Sequence, residues 1–281
     1  MAFVNGNGSA VDIGIDPSAI ESAVSDWLDD NPEATSTVAD KSLTPAKFSQ
    51  SAYMHFGDLT DIGRKIASGE ITKIDFIGDS VVAGMGGTGY DGNWKAPSPN
   101  SSGYCFCNVM RKHLSEQFGC TVVNQGMSGA TITDIEKYMD TIFSEGSQCA
   151  IYFADINDRE NAETYAAFKA KLPGFINTAL TKVPYFAVIA QYPTPNDRGI
   201  KPFVADAFVS AATLEKCYYG SLQQKWLDYI ATNNISGSMS NDGLHPTDFG
   251  YYHMFKMVCE MLGIPYDHKT DYSVNGDWWN A

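Results

Sequence analysis

From Lys73 onward, short apolar runs alternate with stretches of helical periodicity. Lys73–Ile77, Cys120–Asn124, Cys149–Ala154 and Tyr185–Gln191 are strand-sized and nearly continuous in apolar residues, as expected of strands buried on both faces. Between the first two, Phe106, Val109, Met110, Leu114 and Phe118 recur at helical spacing, which predicts a helix over Tyr104–Phe118 stopped by Gly119. Thr133 with Glu136 reads as a capping box for a helix bearing Ile135, Met139 and Ile142. Ala162–Leu180 reads as a helix kinked or split at Pro173. A Pro-rich loop from Tyr192 to Pro202, a helical region to about Ile230, a Gly/Ser loop and a last helix over Tyr251–Leu262 complete the pattern. Strands alternating with helices predict an α/β domain with a parallel sheet covered on both faces. Ligands of such sheets bind beyond the carboxyl ends of the strands.

The N-terminal part is different in kind. Met1 to about Ala10 is rich in Gly, Asn and Ser and reads as an unordered start. A helix should follow, with Asp16 as N-cap, Pro17 at its first position and Ile20, Val24, Trp27 and Leu28 on one face. Asn31-Pro32 ends it, and a polar linker runs to about Ala46. The expected division is a helical segment with linker over 1–48 and one domain over 49–281.

Charge narrows the function. Nineteen basic against 33 acidic side chains leave a net charge of −14, which argues against a nucleic-acid partner. No apolar run reaches the ~18 residues of a membrane span. The first residues lack the basic start and apolar stretch of a secretory signal, and the compartment stays open. Six cysteines are too few for a disulfide scaffold and read as buried free thiols; Cys105-Phe-Cys107 lacks the spacing of a zinc site.

Four short motifs fall where the strands end. Gly78-Asp79-Ser80 would expose a serine hydroxyl at the rim of the sheet, a poor nucleophile until a base takes its proton. Asn124-Gln-Gly126-Met-Ser-Gly129 offers glycines whose backbone N–H groups can approach an oxyanion. Asp155-Ile-Asn157-Asp158 offers a side-chain amide; a calcium loop fits it poorly, since its sixth position is Glu160 and not Gly. Asp242-Gly-Leu-His245-Pro246 pairs a histidine base with a carboxylate that can hold its tautomer. Each alone is also an ordinary turn, cap or polar loop. His55, His113, His253 and His268 have no comparable partner nearby in sequence. Gly84-Met-Gly86-Gly-Thr-Gly89 satisfies G-x-G-x-x-G, but Gly-Asp-Ser occupies the turn where a dinucleotide fingerprint belongs. The G-x-S-x-G elbow of α/β-hydrolases is absent.

Taken together, in this order, the four blocks resemble the SGNH hydrolases, the GDSL-type esterases and lipases, from about Ile71 to Gly263. The resemblance implies a three-layer α/β/α flavodoxin-like fold and serine ester hydrolysis without metal or cofactor. It implies Ser80 as nucleophile, His245 as base and Asp242 as its orienting acid. The oxyanion donors would be the N–H groups of Ser80 and Gly129 and the amide of Asn157. One departure is Asp155, where the family usually has Gly; it puts substrate choice in doubt more than reaction type. Polar and aromatic loops such as Tyr90–Trp94 favour short acyl esters, chiefly O-acetyl groups, on carbohydrate. The alternatives are a lipase or thioesterase, or a non-catalytic carbohydrate-binding or virion module on the same scaffold. The segment around Trp27 looks like connectors of phage tail proteins, which would make it an attachment or self-association element of a virion-associated or extracellular enzyme.

Overall fold

The structure is a computed structural model that describes residues 3–4, 10–11, 59–97, 99–100, 103–154, 156–192, 217–222, 225–226, 229 and 239–266. Contacts divide the chain into two units, Met1–Gln50 and Ser51–Ala281. In the first unit the described residues are two short strands, β1 (Phe3–Val4) and β2 (Ala10–Val11), paired antiparallel. Instead of the unordered start expected over residues 1–10, Phe3–Val4 and Ala10 are strand, and the other residues of that range lie outside the described residues. The expected Asp16-capped helix, the linker and Asp155 lie outside the described residues.

The second unit is built on a five-stranded, all-parallel sheet. Its strands are β3 (Lys73–Gly78), β4 (Thr121–Gly126), β5 (Cys149–Ala154), β6 (Tyr185–Ala190) and β7 (Cys217–Ser221). Their order, β4-β3-β5-β6-β7, is the flavodoxin-like one, with the direction of winding reversing between β3 and β5. The helices whose bounds fall among the described residues are α1 (Thr60–Ala67), α2 (Ser80–Ala83), α3 (Phe106–Phe118), α4 (Ile132–Ile135), α5 (Ala162–Lys182) and α6 (Asp248–Leu262). Alternate residues of each strand feed opposite cores. Ile74, Phe76, Ile151 and Phe153 join Ile62, Phe106 and Phe255 of α1, α3 and α6 on one face. Ile77, Ala150 and Tyr152 join Ile135, Phe168 and Phe175 of α4 and α5 on the other. This is the three-layer α/β/α sandwich expected, and among the described residues no helix is long and apolar enough to cross a membrane.

Several local expectations are corrected. Within the helical region expected up to Ile230, Cys217–Ser221 form β7 instead, while residues 225, 226 and 229 are helical and residues 203–216 lie outside the described residues. Tyr218 and Tyr219 favour a strand and bury themselves in opposite cores, and Gly220 lets Met261 of α6 approach to within 2.2 Å of where a Cβ would lie. Helix α1 was not foreseen, although Leu59, Ile62 and Ile66 form its buried stripe. The capping box is Thr131 with Asp134, whose carboxylate accepts from the Thr131 N–H (3.3 Å) and hydroxyl (3.1 Å), so α4 begins before Thr133. It ends within one turn and passes into a 3-10 turn, Glu136–Tyr138. Helix α5 runs unbroken through Pro173. The carbonyl that loses its donor there belongs to exposed Lys169, where water can satisfy it. All six cysteines are free and buried.

Candidate active site

The rim at the carboxyl ends of β3, β4 and β5 gathers the four motifs. Ser80 is the first residue of α2 and lies directly after β3, with Asp79 as N-cap accepting from the Val81 N–H at 2.9 Å. The turn is tight, so the serine is almost wholly enclosed, at 3% exposure. Its Oγ stands 3.0 Å from His245 Nε2, and His245 Nδ1 stands 2.7 Å from Asp242 Oδ2. A carboxylate can only accept, so it fixes the imidazole proton on Nδ1 and leaves Nε2 to accept from the serine hydroxyl. The other Asp242 oxygen accepts from the backbone N–H groups of Leu244 (2.8 Å) and His245 (2.7 Å). Burial pushes the Asp242 carboxyl up, but the His245 ring and these two N–H groups outweigh it and hold the group below the usual carboxylate range.

Three bonding points tie down the histidine loop and the start of α6 that follows it. Tyr192 donates its hydroxyl to the Leu244 carbonyl at 2.5 Å. Tyr251 of α6 donates to the Met85 carbonyl at 2.6 Å. Asp248 accepts from both the N–H (2.8 Å) and the hydroxyl (2.6 Å) of Thr88. Gly86, in the G-x-G-x-x-G stretch, has φ +93°, and a Cβ there would meet Pro246 O at 2.6 Å and His245 Cβ at 2.9 Å. Its part in the fold is the close approach of two loops.

The oxyanion candidates sit on neighbouring loops. Gly129 follows β4 with φ +72°. Asn157 follows β5 and donates from Nδ2 to the Ala130 carbonyl at 2.9 Å. A carboxamide nitrogen carries two N–H groups, so this bond engages one of them. Asp158 accepts from the Ile132 N–H at 2.9 Å and ties the same two loops together. Asn124 is structural: buried, it donates to Val82 O at 2.8 Å and accepts from the Gly126 N–H at 2.9 Å.

Three features escaped sequence reasoning. Asp79 is buried, accepts from Gln191 Nε2 at 2.8 Å, and burial pushes its carboxyl up to about 6. Burial likewise pushes Asp158 up to about 7. Trp94 lies over Gly129. Nothing local in sequence signals these, because each depends on a partner from another strand or loop. Of the remaining histidines, His113 pairs with Pro265 O (3.0 Å) and His253 with Tyr229 (2.7 Å), while His55 and His268 lie outside the described residues.

Comparison with known proteins agrees with the topology. Among solved structures, the chain is similar to Axe2, an acetylxylan esterase from Geobacillus stearothermophilus, with 16% identity over 69% of this chain and 95% of that one (TM-score 0.55). It is similar to LAE5, an α/β hydrolase enzyme from the metagenome of Lake Arreo, with 18% identity over 70% and 97% (TM-score 0.56). It also resembles CEX, a two-domain esterase active on acetylated mannans, with 16% identity over 74% of this chain and 54% of that one (TM-score 0.57). Among curated proteins no sequence relative is found. Residues 76–252 match the GDSL-like Lipase/Acylhydrolase family, a span that holds the Ser80, Asp242 and His245 blocks. The chain belongs to that family and is a carboxylic ester hydrolase.

Proposed function

We propose that this enzyme removes short acyl groups, chiefly O-acetyl, from carbohydrate by a Ser-His-Asp acyl-enzyme mechanism. The observation that carries the mechanism is the unbroken hydrogen-bonded chain from Ser80 Oγ through His245 to Asp242 at the sheet's carboxyl rim. Ser80 Oγ attacks the acetyl carbonyl carbon as His245 Nε2 takes its proton. The oxyanion that forms is held by the N–H groups of Ser80 and Gly129 and by the Asn157 amide. Collapse breaks the bond to the sugar oxygen, which leaves with the proton from His245. Water, deprotonated by His245, then attacks the acetyl-serine, releases acetate and restores the serine hydroxyl. Asp242 keeps the imidazole in the accepting tautomer and stabilises the imidazolium of each half-reaction.

The carbohydrate part of this reading draws on fold neighbours described as esterases of acetylated xylan and mannan. Release of the carboxylic acid from acetylated xylan and acetylated mannan (acetate) and from a long-chain acyl ester (fatty acid), measured side by side, tests it. Faster turnover of a glycan supports the reading; preference for the long-chain ester overturns it in favour of a lipase. For residues 1–48 we propose a separate attachment or self-association role, supported by the apolar stripe of Ile20, Val24, Trp27 and Leu28.

A further inference from the structure

An exposed tryptophan covers the glycine that the proposed mechanism puts in the oxyanion hole. Trp94 is 68% exposed, the most exposed large apolar side chain among the described residues. A Cβ at Gly129 would lie 2.5–2.8 Å from three atoms of its six-membered ring. One side of the indole therefore rests on Gly129, and the rest of the ring meets water.

The mounting is rigid. Trp94 forms an isolated parallel bridge with Ser128, in which the Ser128 N–H donates to Asn93 O at 3.2 Å and the Lys95 N–H to Ser128 O at 2.8 Å. Tyr90 hydrogen-bonds Ser128 Oγ through its hydroxyl. Lys95 Nζ reaches Asp134 at 3.0 Å, and the Tyr138 hydroxyl donates to the Lys95 carbonyl at 3.3 Å. Backbone fixed on both sides of the indole leaves little freedom to lose when a ligand docks.

We propose that Trp94 is a stacking platform for a neutral pyranose ring, seating the sugar that bears the ester beside Gly129. A pyranose presents a face of C–H groups, and an indole presents a negative face that attracts them. A flat ring open to water suits such a partner; an acyl tail would need a concave apolar pocket. The net charge of −14 disfavours uronate-rich glycans. The proposal rests on the esterase reading for where the ester lies, but binding can be measured without turnover.

Calorimetric titration of the full-length Ser80→Ala protein with xylopentaose, mannopentaose and a galacturonate oligomer reads that binding. The expected result is saturable binding of a neutral pentasaccharide, tighter than that of the galacturonate. Adding Trp94→Ala should weaken it roughly tenfold, and Trp94→Phe, which keeps a ring, should recover most of the loss. In the active enzyme, Trp94→Ala should lower the ratio of kcat/KM on an acetylated oligosaccharide to kcat/KM on a small aryl acetate. No binding of either neutral pentasaccharide, or equal affinity with and without the indole, overturns the proposal. So does an equal loss on both esters, since the ring would then only prop Gly129. Failure of the Ser80 mechanism, which fixes where the ester lies, shows elsewhere, as Ser80→Ala retaining full turnover.

Discussion

Gly86→Ala is the substitution whose effect follows most directly from the packing of the site. The added methyl falls 2.6 Å from Pro246 O and 2.9 Å from His245 Cβ, about 0.8 and 0.5 Å short of the 3.4 Å at which ordinary contact begins. Neither neighbour is the free end of a flexible chain. Pro246 O is backbone, in a loop tied down by the bonds of Tyr192 and Thr247 (Thr247 N–H to Met239 O, 2.9 Å). The alanine must also adopt φ near +93°, which costs roughly 1–2 kcal/mol before any clash is counted. At about 2–4 °C per kcal/mol for a domain of this size, the melting temperature should fall by roughly 2–8 °C. The larger effect is on catalysis. Relieving the contact moves the His245 backbone by about half an ångström or more, away from a 3.0 Å bond with Ser80. Misplacement on the 1 Å scale costs on the order of 10²-fold in rate, so kcat should drop ten- to a hundredfold. The assay is kcat and KM on a small aryl acetate, at a temperature where circular dichroism shows the variant fully folded. Wild-type kcat in a folded Gly86→Ala protein would refute the idea that this glycine sets the position of His245.

Other outcomes follow from the same geometry. Asn157→Ala should lower kcat by roughly 10²–10³-fold with KM little changed; a loss confined to KM would make Asn157 a substrate-binding residue. Asp242→Asn should cost roughly 10³–10⁴-fold in kcat, because the amide no longer enforces the accepting tautomer, and a loss of less than tenfold would contradict that role. Asp79, pushed up to about 6 by burial from the usual 3.8, keeps its proton in the native state after the unfolded chain has lost it. Fewer protons on the unfolded chain means stability falls as pH rises from about 4 to 6, by on the order of 3 kcal/mol from this group. Asp79→Asn removes the ionisable group and keeps an acceptor for the Val81 N–H; its new N–H donors face Gln191 Nε2, so the Gln191 carboxamide must turn to present Oε1, which has no partner among the described residues. It should therefore raise the urea midpoint at pH 8 more than at pH 4; an equal or opposite change would refute the linkage. Deleting residues 1–46 should leave kcat on a small acetyl ester nearly unchanged while lowering the number of copies per particle seen by light scattering; an unchanged number of copies would refute self-association.

What was legible in the chain was whatever a short segment carries by itself. β5 and β6 announced themselves because both faces are buried and the runs are apolar throughout, and β3 because Ile74, Phe76 and Ile77 flank a single buried carboxylate, Asp75. The Asp242–His245 pair was legible because three residues of loop suffice to fold a carboxylate onto an imidazole, and Ser80 because it directly follows a strand. β7 was not, since a short strand paired, among the described residues, with β6 alone carries too little pattern to compete with the helical spacing around it. The capping box slipped by two residues because Thr131–Asp134 and Thr133–Glu136 both fit the motif, and in the fold it is the Thr131–Asp134 pair that forms its bonds. The burial of Asp79, the Trp94–Gly129 contact and the pressure of Gly86 on His245 are tertiary facts. In sequence, Gly86 belonged to a pattern shared with dinucleotide-binding turns, and its neighbour in space lies on a loop far along the chain.

The central claim is that Ser80 carries the acyl group, and a quench experiment tests it most directly. Enzyme turning over an aryl acetate is stopped with acid, digested and mapped by peptide mass spectrometry. A single acetyl on Ser80 is expected, absent from Ser80→Ala, which should fold normally and lose nearly all turnover. Acetyl on another residue, or a folded Ser80→Ala protein with wild-type kcat, would contradict the mechanism.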